Sequence, residues 1–98
     1  MTTYCFDIDG TICTNTDGDY HLAEPYLDRI KVIVDLQAMG HTVIFHTARG
    51  STTGRDWGEF TVNQLKSWGL DNPVVYLGKP YAEVYVDDKA VPEHTFFA

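Results

Sequence analysis

The sequence predicts a single α/β domain built on a mostly parallel sheet, and three observations carry the prediction. Short apolar runs rich in β-branched and aromatic residues alternate with stretches of helical periodicity, the order that makes parallel strands with helices packed on the sheet. The chain has 98 residues, which is one domain (1–98), able to bury somewhat over ~60% of the surface its unfolded form exposes. Polar residues gather at the carboxyl ends of the apolar runs, where parallel sheets bind their ligands. The expected architecture is a three-layer, Rossmann-like fold with both faces of the sheet covered.

Each element has its own signal. Residues 3–9 (TYCFDID) form a short run of strand formers and read as a buried first strand. Residues 10–24 are polar and read as a loop, with a small hairpin turning at Asp17-Gly18. Pro25 suits the first turn of a helix, Leu27, Ile30 and Val34 recur at helical spacing as its core stripe, and Gly40 stops it. Residues 41–47 (HTVIFHT) read as a second strand, and 48–56 (ARGSTTGRD) as a Gly- and Thr-rich loop. Residues 57–68 (WGEFTVNQLKSW) read as a helix ended by Gly69. Residues 73–77 form a third strand, Gly78-Lys79-Pro80 a turn, 83–87 a fourth strand, and the tail 91–98 a short edge strand.

Composition excludes several function classes. Hydrophobic residues make up 44% and aromatics 13% of the chain, as in a globular protein rather than a disordered one. The net charge of −7 argues against nucleic acid or an anionic membrane as partner. Two cysteines, Cys5 and Cys13, make no disulfide framework, and no Cys-His spacing suggests zinc. The opening MTTYCFDIDG is no signal peptide and no apolar run approaches a membrane span, so the expectation is a soluble, cytoplasmic protein.

The chemistry concentrates at the strand ends. On a strand, Asp7 and Asp9 start out on one face. Two close carboxylates do not both stay ionised unless a cation or hydrogen-bond donors compensate them, which points to a metal, a proton-transfer task, or both. Asp87 and Asp88 add carboxylates at the end of the fourth strand, with no His or Cys beside them, and such hard oxygen donors suit Mg²⁺. Thr47 and Lys79 supply a hydroxyl and a positive charge suited to phosphate oxygens. An aspartate beside a metal and a phosphate can attack phosphorus, while a second acid protonates the leaving alcohol and then activates water.

The ordered set FDIDGT, VIFHTAR, GK and VYVDD resembles the haloacid dehalogenase superfamily of phosphohydrolases over nearly the whole chain. The segments FDIDGTIC, TARG, LGKPY and YVDDKAVPEHTFF look similar to small phosphatases of capsule and surface-carbohydrate synthesis. The resemblance implies a Mg²⁺-dependent phosphomonoesterase acting on a sugar phosphate or a related small phosphorylated metabolite. It implies Asp7 as nucleophile and Asp9 as general acid–base. The Asp7 carboxylate, the Asp9 carbonyl and Asp87 would ligate Mg²⁺, with Asp88 assisting. Thr47, Lys79 and backbone amides after Asp7 would hold the phosphoryl group, and Gly10 would allow the tight turn that brings those amides close. The fourth motif lacks the longer Gly-Asp-spacer-Asp form common in the superfamily, which leaves the split of roles between Asp87 and Asp88 open.

Many members of that superfamily carry a cap domain over the substrate. Here the interval 12–24 has room only for a flap, and 48–78 holds one loop, one helix and one strand, so the resemblance implies a capless enzyme with an open site. Either a large substrate covers such a site, or a neighbouring copy in a homo-oligomer supplies the cap. Tyr20 and His21 on the flap, with Arg49 and Arg55, would make the recognition contacts, although an ion pair within the loop suits Arg49 as well. His46, one residue before Thr47, is expected on the opposite face as a structural side chain. The alternatives are a phosphate-responsive binding module and a catalytically inactive relative. Receiver domains carry their phosphorylated aspartate on a later strand, which disfavours the first, and every expected catalytic position is filled, which disfavours the second.

Overall fold

The computed structural model describes residues 1–49, 56–77, 82, 84–86 and 96–97. Strand β1 (Thr3–Asp7) is followed by helix α1 (Leu27–Ala38), strand β2 (Thr42–His46), helix α2 (Gly58–Ser67) and strands β3 (Val75–Tyr76) and β4 (Val84–Val86). The four strands form one sheet in the order β3-β2-β1-β4, with every pairing parallel. Asp7 lies beside His46 in register, so the acid-bearing strand end is flanked by the end of β2.

Two crossovers step in the same direction, from β1 through α1 to β2 and from β2 through α2 to β3. With the usual right hand, both helices fall on one face of the sheet. The core agrees. Ile30 and Ile33 of α1 and Leu65 of α2 share one buried cluster with Phe6, Val43, Phe45 and Val86. The alternate strand residues make a smaller cluster of Cys5 and Ile44 with Ala82. The described residues thus give a small α/β unit with a parallel sheet and two helices.

Both helices end in the same way. Gly40 has φ +91° and Gly69 φ +101°, conformations that suit glycine. The N–H of Gly40 donates to the Gln37 carbonyl and that of His41 to the Leu36 carbonyl; Gly69 and Leu70 repeat the pattern on Lys66 and Leu65. These are paired Schellman bonds, which satisfy carbonyls the helix leaves over and aim the chain back to the sheet.

The core stripe of α1 differs from the expected one. Leu27 is 67% exposed and Val34 38%, whereas Ile30 and Ile33 are buried. Tyr26 caps the helix, so Leu27 opens the first turn at its outer end. Val34 follows Ile33 by about 100° of rotation, which carries it off the face the isoleucines share. Strands β1, β2 and β3 are shorter than read from sequence. Asp9 falls outside β1, because the Ile8 carbonyl already accepts from the N–H groups of Thr11 and Ile12 in a turn. Of the tail expected as an edge strand, the described residues Phe96 and Phe97 are not in a strand; they pack on Phe6 at ring-centroid distances of 5.5 and 5.9 Å.

Candidate active site at the carboxyl end of the sheet

The flap begins directly after Asp9. Its neck is closed by bonds from the Thr14 N–H to the Glu24 carbonyl (2.9 Å) and from the Tyr26 N–H to the Ile12 carbonyl (2.9 Å). At its tip Asp17 (φ 53°) and Gly18 (φ 101°) both take positive φ, and the Asp19 N–H donates to the Thr16 carbonyl at 3.2 Å. Two positive φ values at the centre of a four-residue turn are what a hairpin turn of the primed kind requires. Arg29 of α1 supports the base of the flap by donating to the Thr11 carbonyl at 2.7 Å, its guanidinium lying over the Tyr26 and Phe97 rings.

Between the flap and the sheet lies an open cavity of about 360 Å³, lined by Asp7, Asp9, Asn15, Asp17, Gly18, Tyr20, Ala48 and Arg49. Of the described site residues named from sequence, Asp7, Asp9, Tyr20 and Arg49 line this cavity, whereas Thr47 and Gly10 do not. Sequence reasoning missed Asn15, Asp17, Gly18 and Ala48 as lining residues, although the Asp-Gly turn was the signal that located the flap tip. His21 is exposed and lines a separate groove against α2. Lys79, Asp87, Asp88 and Arg55 lie outside the described residues.

Arg49 is the hub. Its side chain is fully buried, while that of Asp9 keeps 21% exposure. Arg49 Nε donates to Asp9 Oδ2 at 2.9 Å and Nη2 to Oδ1 at 2.8 Å, a two-pronged pair that fixes the plane of the carboxylate. On the other edge, Nη1 donates to Thr61 Oγ1 at 3.2 Å and to Gln64 Oε1 at 2.7 Å. The guanidinium also stands over the Tyr20 ring, 4.5 Å from its centroid. The ion pair expected within the loop is instead made across the site, to Asp9, and Arg49 also lines the cavity.

Thr47 is buried at the end of β2, and its hydroxyl oxygen accepts the Arg49 N–H at 3.0 Å. A hydroxyl that accepts one bond still carries a hydrogen to donate. Gly10 takes φ +83°, the turn expected of it, and its N–H is committed to the Cys13 carbonyl at 2.9 Å. Together with the Thr11 and Ile12 bonds to Ile8, that commits three of the amides following Asp7 to the turn itself.

Cys13 is buried beside Asp9. Its thiol reaches the Ile8 carbonyl at 3.6 Å and Asp9 Oδ1 at 3.7 Å. Burial, then the Asp9 carboxylate, push the thiol up to about 12, so it stays neutral and gives Asp9 a third donor beside the two nitrogens of Arg49. Among the described residues no three His, Cys, Asp or Glu side chains stand together as a metal cluster. Mg²⁺ does not require one: it takes one or two carboxylates and completes its shell with water and substrate oxygens. The Asp7 carboxylate, in an open polar cavity, is an oxygen donor of that kind.

Comparison with protein families, with curated proteins and with solved structures finds no match for this chain.

Proposed function

We propose that the protein is a Mg²⁺-dependent phosphomonoesterase of the haloacid dehalogenase type, acting on a small phosphorylated metabolite such as a sugar phosphate. One observation carries the reading: Asp7 and Asp9 share an open cavity at the carboxyl end of an interior parallel strand. In the proposed reaction a carboxylate oxygen of Asp7 attacks phosphorus, the bond from phosphorus to the leaving oxygen breaks, and Asp9 gives that oxygen its proton. Asp9 then takes a proton from water, the water oxygen attacks phosphorus, and inorganic phosphate leaves as the Asp7 carboxylate is restored. The Thr47 hydroxyl donates to a phosphoryl oxygen, and Lys79 is assigned to the same task by its place in the sequence. Asp7, the Asp9 carbonyl and Asp87, assisted by Asp88, would hold Mg²⁺, which when bound neutralises phosphoryl charge so that an anionic nucleophile can approach. The reading carries with it a capless, three-layer arrangement in which the Cys5–Ile44–Ala82 face is covered as well.

A second reading has one observation in its favour. Both Asp9 oxygens accept from Arg49, so donating a proton to a leaving group requires one of these contacts to open. A phosphate-responsive module that never turns over would have no such need. Assay of p-nitrophenyl phosphate with Mg²⁺ separates the two. Sustained release of phosphate by the wild type, lost in Asp7→Asn with an unchanged circular dichroism spectrum, is the expected result. A single stoichiometric event, or none, favours the binding module.

A further inference from the structure

We infer that Gln64 is a positioning residue that sets the orientation of Asp9 and couples it to the flap; its catalytic consequence rests on the phosphatase reading above. Nothing in the sequence singles Gln64 out, since it is one polar residue on an amphipathic helix. In the structure it uses both ends of its amide. Oε1 accepts from Arg49 Nη1 at 2.7 Å, and Nε2 donates to the Tyr20 carbonyl at 2.7 Å. The chemistry of the neighbours dictates this orientation. A flipped amide would set its NH₂ against a guanidinium and its oxygen against a carbonyl, leaving two repulsive contacts.

The bonds form one continuous path. The flap backbone at Tyr20 rests on Gln64, Gln64 holds one edge of the Arg49 guanidinium, and the other edge holds both oxygens of Asp9. A guanidinium is planar and rigid, so fixing one edge fixes the other. Thr61 shares the first edge, and both Thr61 and Gln64 stand on α2. The plane of the Asp9 carboxylate is therefore referred to a packed helix. The flap touches the same unit twice, through the Tyr20 carbonyl on Gln64 and the Tyr20 ring under Arg49. A substrate that enters between Asp9 and the flap residues Asn15, Asp17 and Gly18 meets both ends of this path. Displacing the flap pulls on Gln64 and loosens the guanidinium edge that holds Asp9, so arrival of substrate and release of the acid are linked.

Two variants test this. Gln64→Leu removes both bonds, and Gln64→Glu keeps an acceptor for Arg49 while losing the donor to Tyr20. Two readouts need no turnover: hydrogen exchange at the flap amides of Asp19, Leu22 and Ala23, and the ¹³C signal of the Asp9 carboxyl group. In Gln64→Leu both should change, exchange rising by about tenfold or more as the flap loses its anchor. In Gln64→Glu the flap amides should exchange faster while the Asp9 signal stays near that of the wild type. In the active enzyme, kcat/KM of Gln64→Leu for an alkyl phosphate should fall about 10- to 100-fold, part of the ~10²–10⁴ that general acid–base help supplies. For p-nitrophenyl phosphate, whose leaving group needs little protonation, it should fall by less than about threefold. Unchanged flap exchange in both variants, an unmoved Asp9 signal in Gln64→Leu, or equal losses on the alkyl and aryl substrates would overturn the inference. A wild type without turnover sinks the phosphatase reading, and the two resonance measurements still decide the coupling.

Discussion

Replacing Arg49 by Met keeps an unbranched apolar stem and removes the guanidinium with its charge and donors. Asp9 loses two hydrogen bonds, and Thr61 and Gln64 lose one each. Removing one partner of a fully buried pair costs about 3–5 kcal/mol, because the other charge is left without compensation. Asp9 keeps 21% exposure and is partly reached by water, which places its loss near the lower end. Thr61 is fully buried, and its hydroxyl loses a donor facing it, a further loss of order 1 kcal/mol. The expected sum is about 3–4 kcal/mol, a large share of the ~5–15 kcal/mol typical of a whole domain. For a domain of this size that lowers Tm by roughly 15–25 °C. Urea titration followed by tryptophan fluorescence reads it, through Trp57 and Trp68 at the two ends of α2. A double-mutant cycle with Asp9→Asn should return a coupling of about 1–3 kcal/mol. A loss below about 1 kcal/mol, as for an exposed ion pair, or strict additivity in the cycle, would refute the argument that Arg49 is a buried hub.

Other outcomes follow from the same geometry. Asp7→Asn should abolish phosphate release and Asp9→Asn should lower it by ~10²–10⁴, with both proteins folded; near wild-type rates in Asp7→Asn rule the mechanism out. If the protein takes Mg²⁺ as proposed, the ion should raise Tm by binding the folded state, and full activity in excess chelator would contradict its role. Ile33→Ala should cost about 2–5 kcal/mol and Leu27→Ala less than about 0.5, and the reverse order would mean that α1 presents a different face. Cys13 titrates near 9.0 when unperturbed and near 12 in the fold. The unfolded chain therefore gives up the proton first: the contribution of this thiol is whole below pH 9 and is lost as the pH rises toward 12, so Cys13→Ala should show a shallower alkaline decline in stability.

Element type and order were legible because they depend on local signals. Apolar runs, the helical period in residues 57–68, the glycines after each helix and the Asp17-Gly18 pair all act within a few residues of themselves. The face α1 buries was not, since Leu27 and Val34 match the period as well as Ile33 does, and only the position of the sheet chooses between them. Asp7 and Asp9 were found as a pair, but their relation came out differently. The alternation of a strand predicts a shared face, whereas the chain turns at Ile8 and Asp9 is aimed by Arg49, forty residues later. Gln64 was illegible for the same reason: a glutamine in a helix becomes informative only when its neighbours from the flap and the loop are known.

The order of the strands has a consequence for how the molecule comes together. Strand β1 precedes the others in the chain, yet it lies inside the sheet, pairing Tyr4 with Val43 on one side and with Val84 on the other. The second pairing joins the two ends of the described chain, so it carries the largest entropy of loop closure and is a contact of high order. During synthesis β1, α1 and β2 can associate as soon as they leave the ribosome, but one side of β1 keeps its row of unpaired backbone groups until β4 has been made. An uncovered strand edge with Cys5 and Phe6 in it is a template for pairing with another chain. The slow step in folding is therefore expected to be the docking of β4. Variants that weaken β4, such as Val86→Ala, should raise aggregation during refolding more than their effect on final stability accounts for.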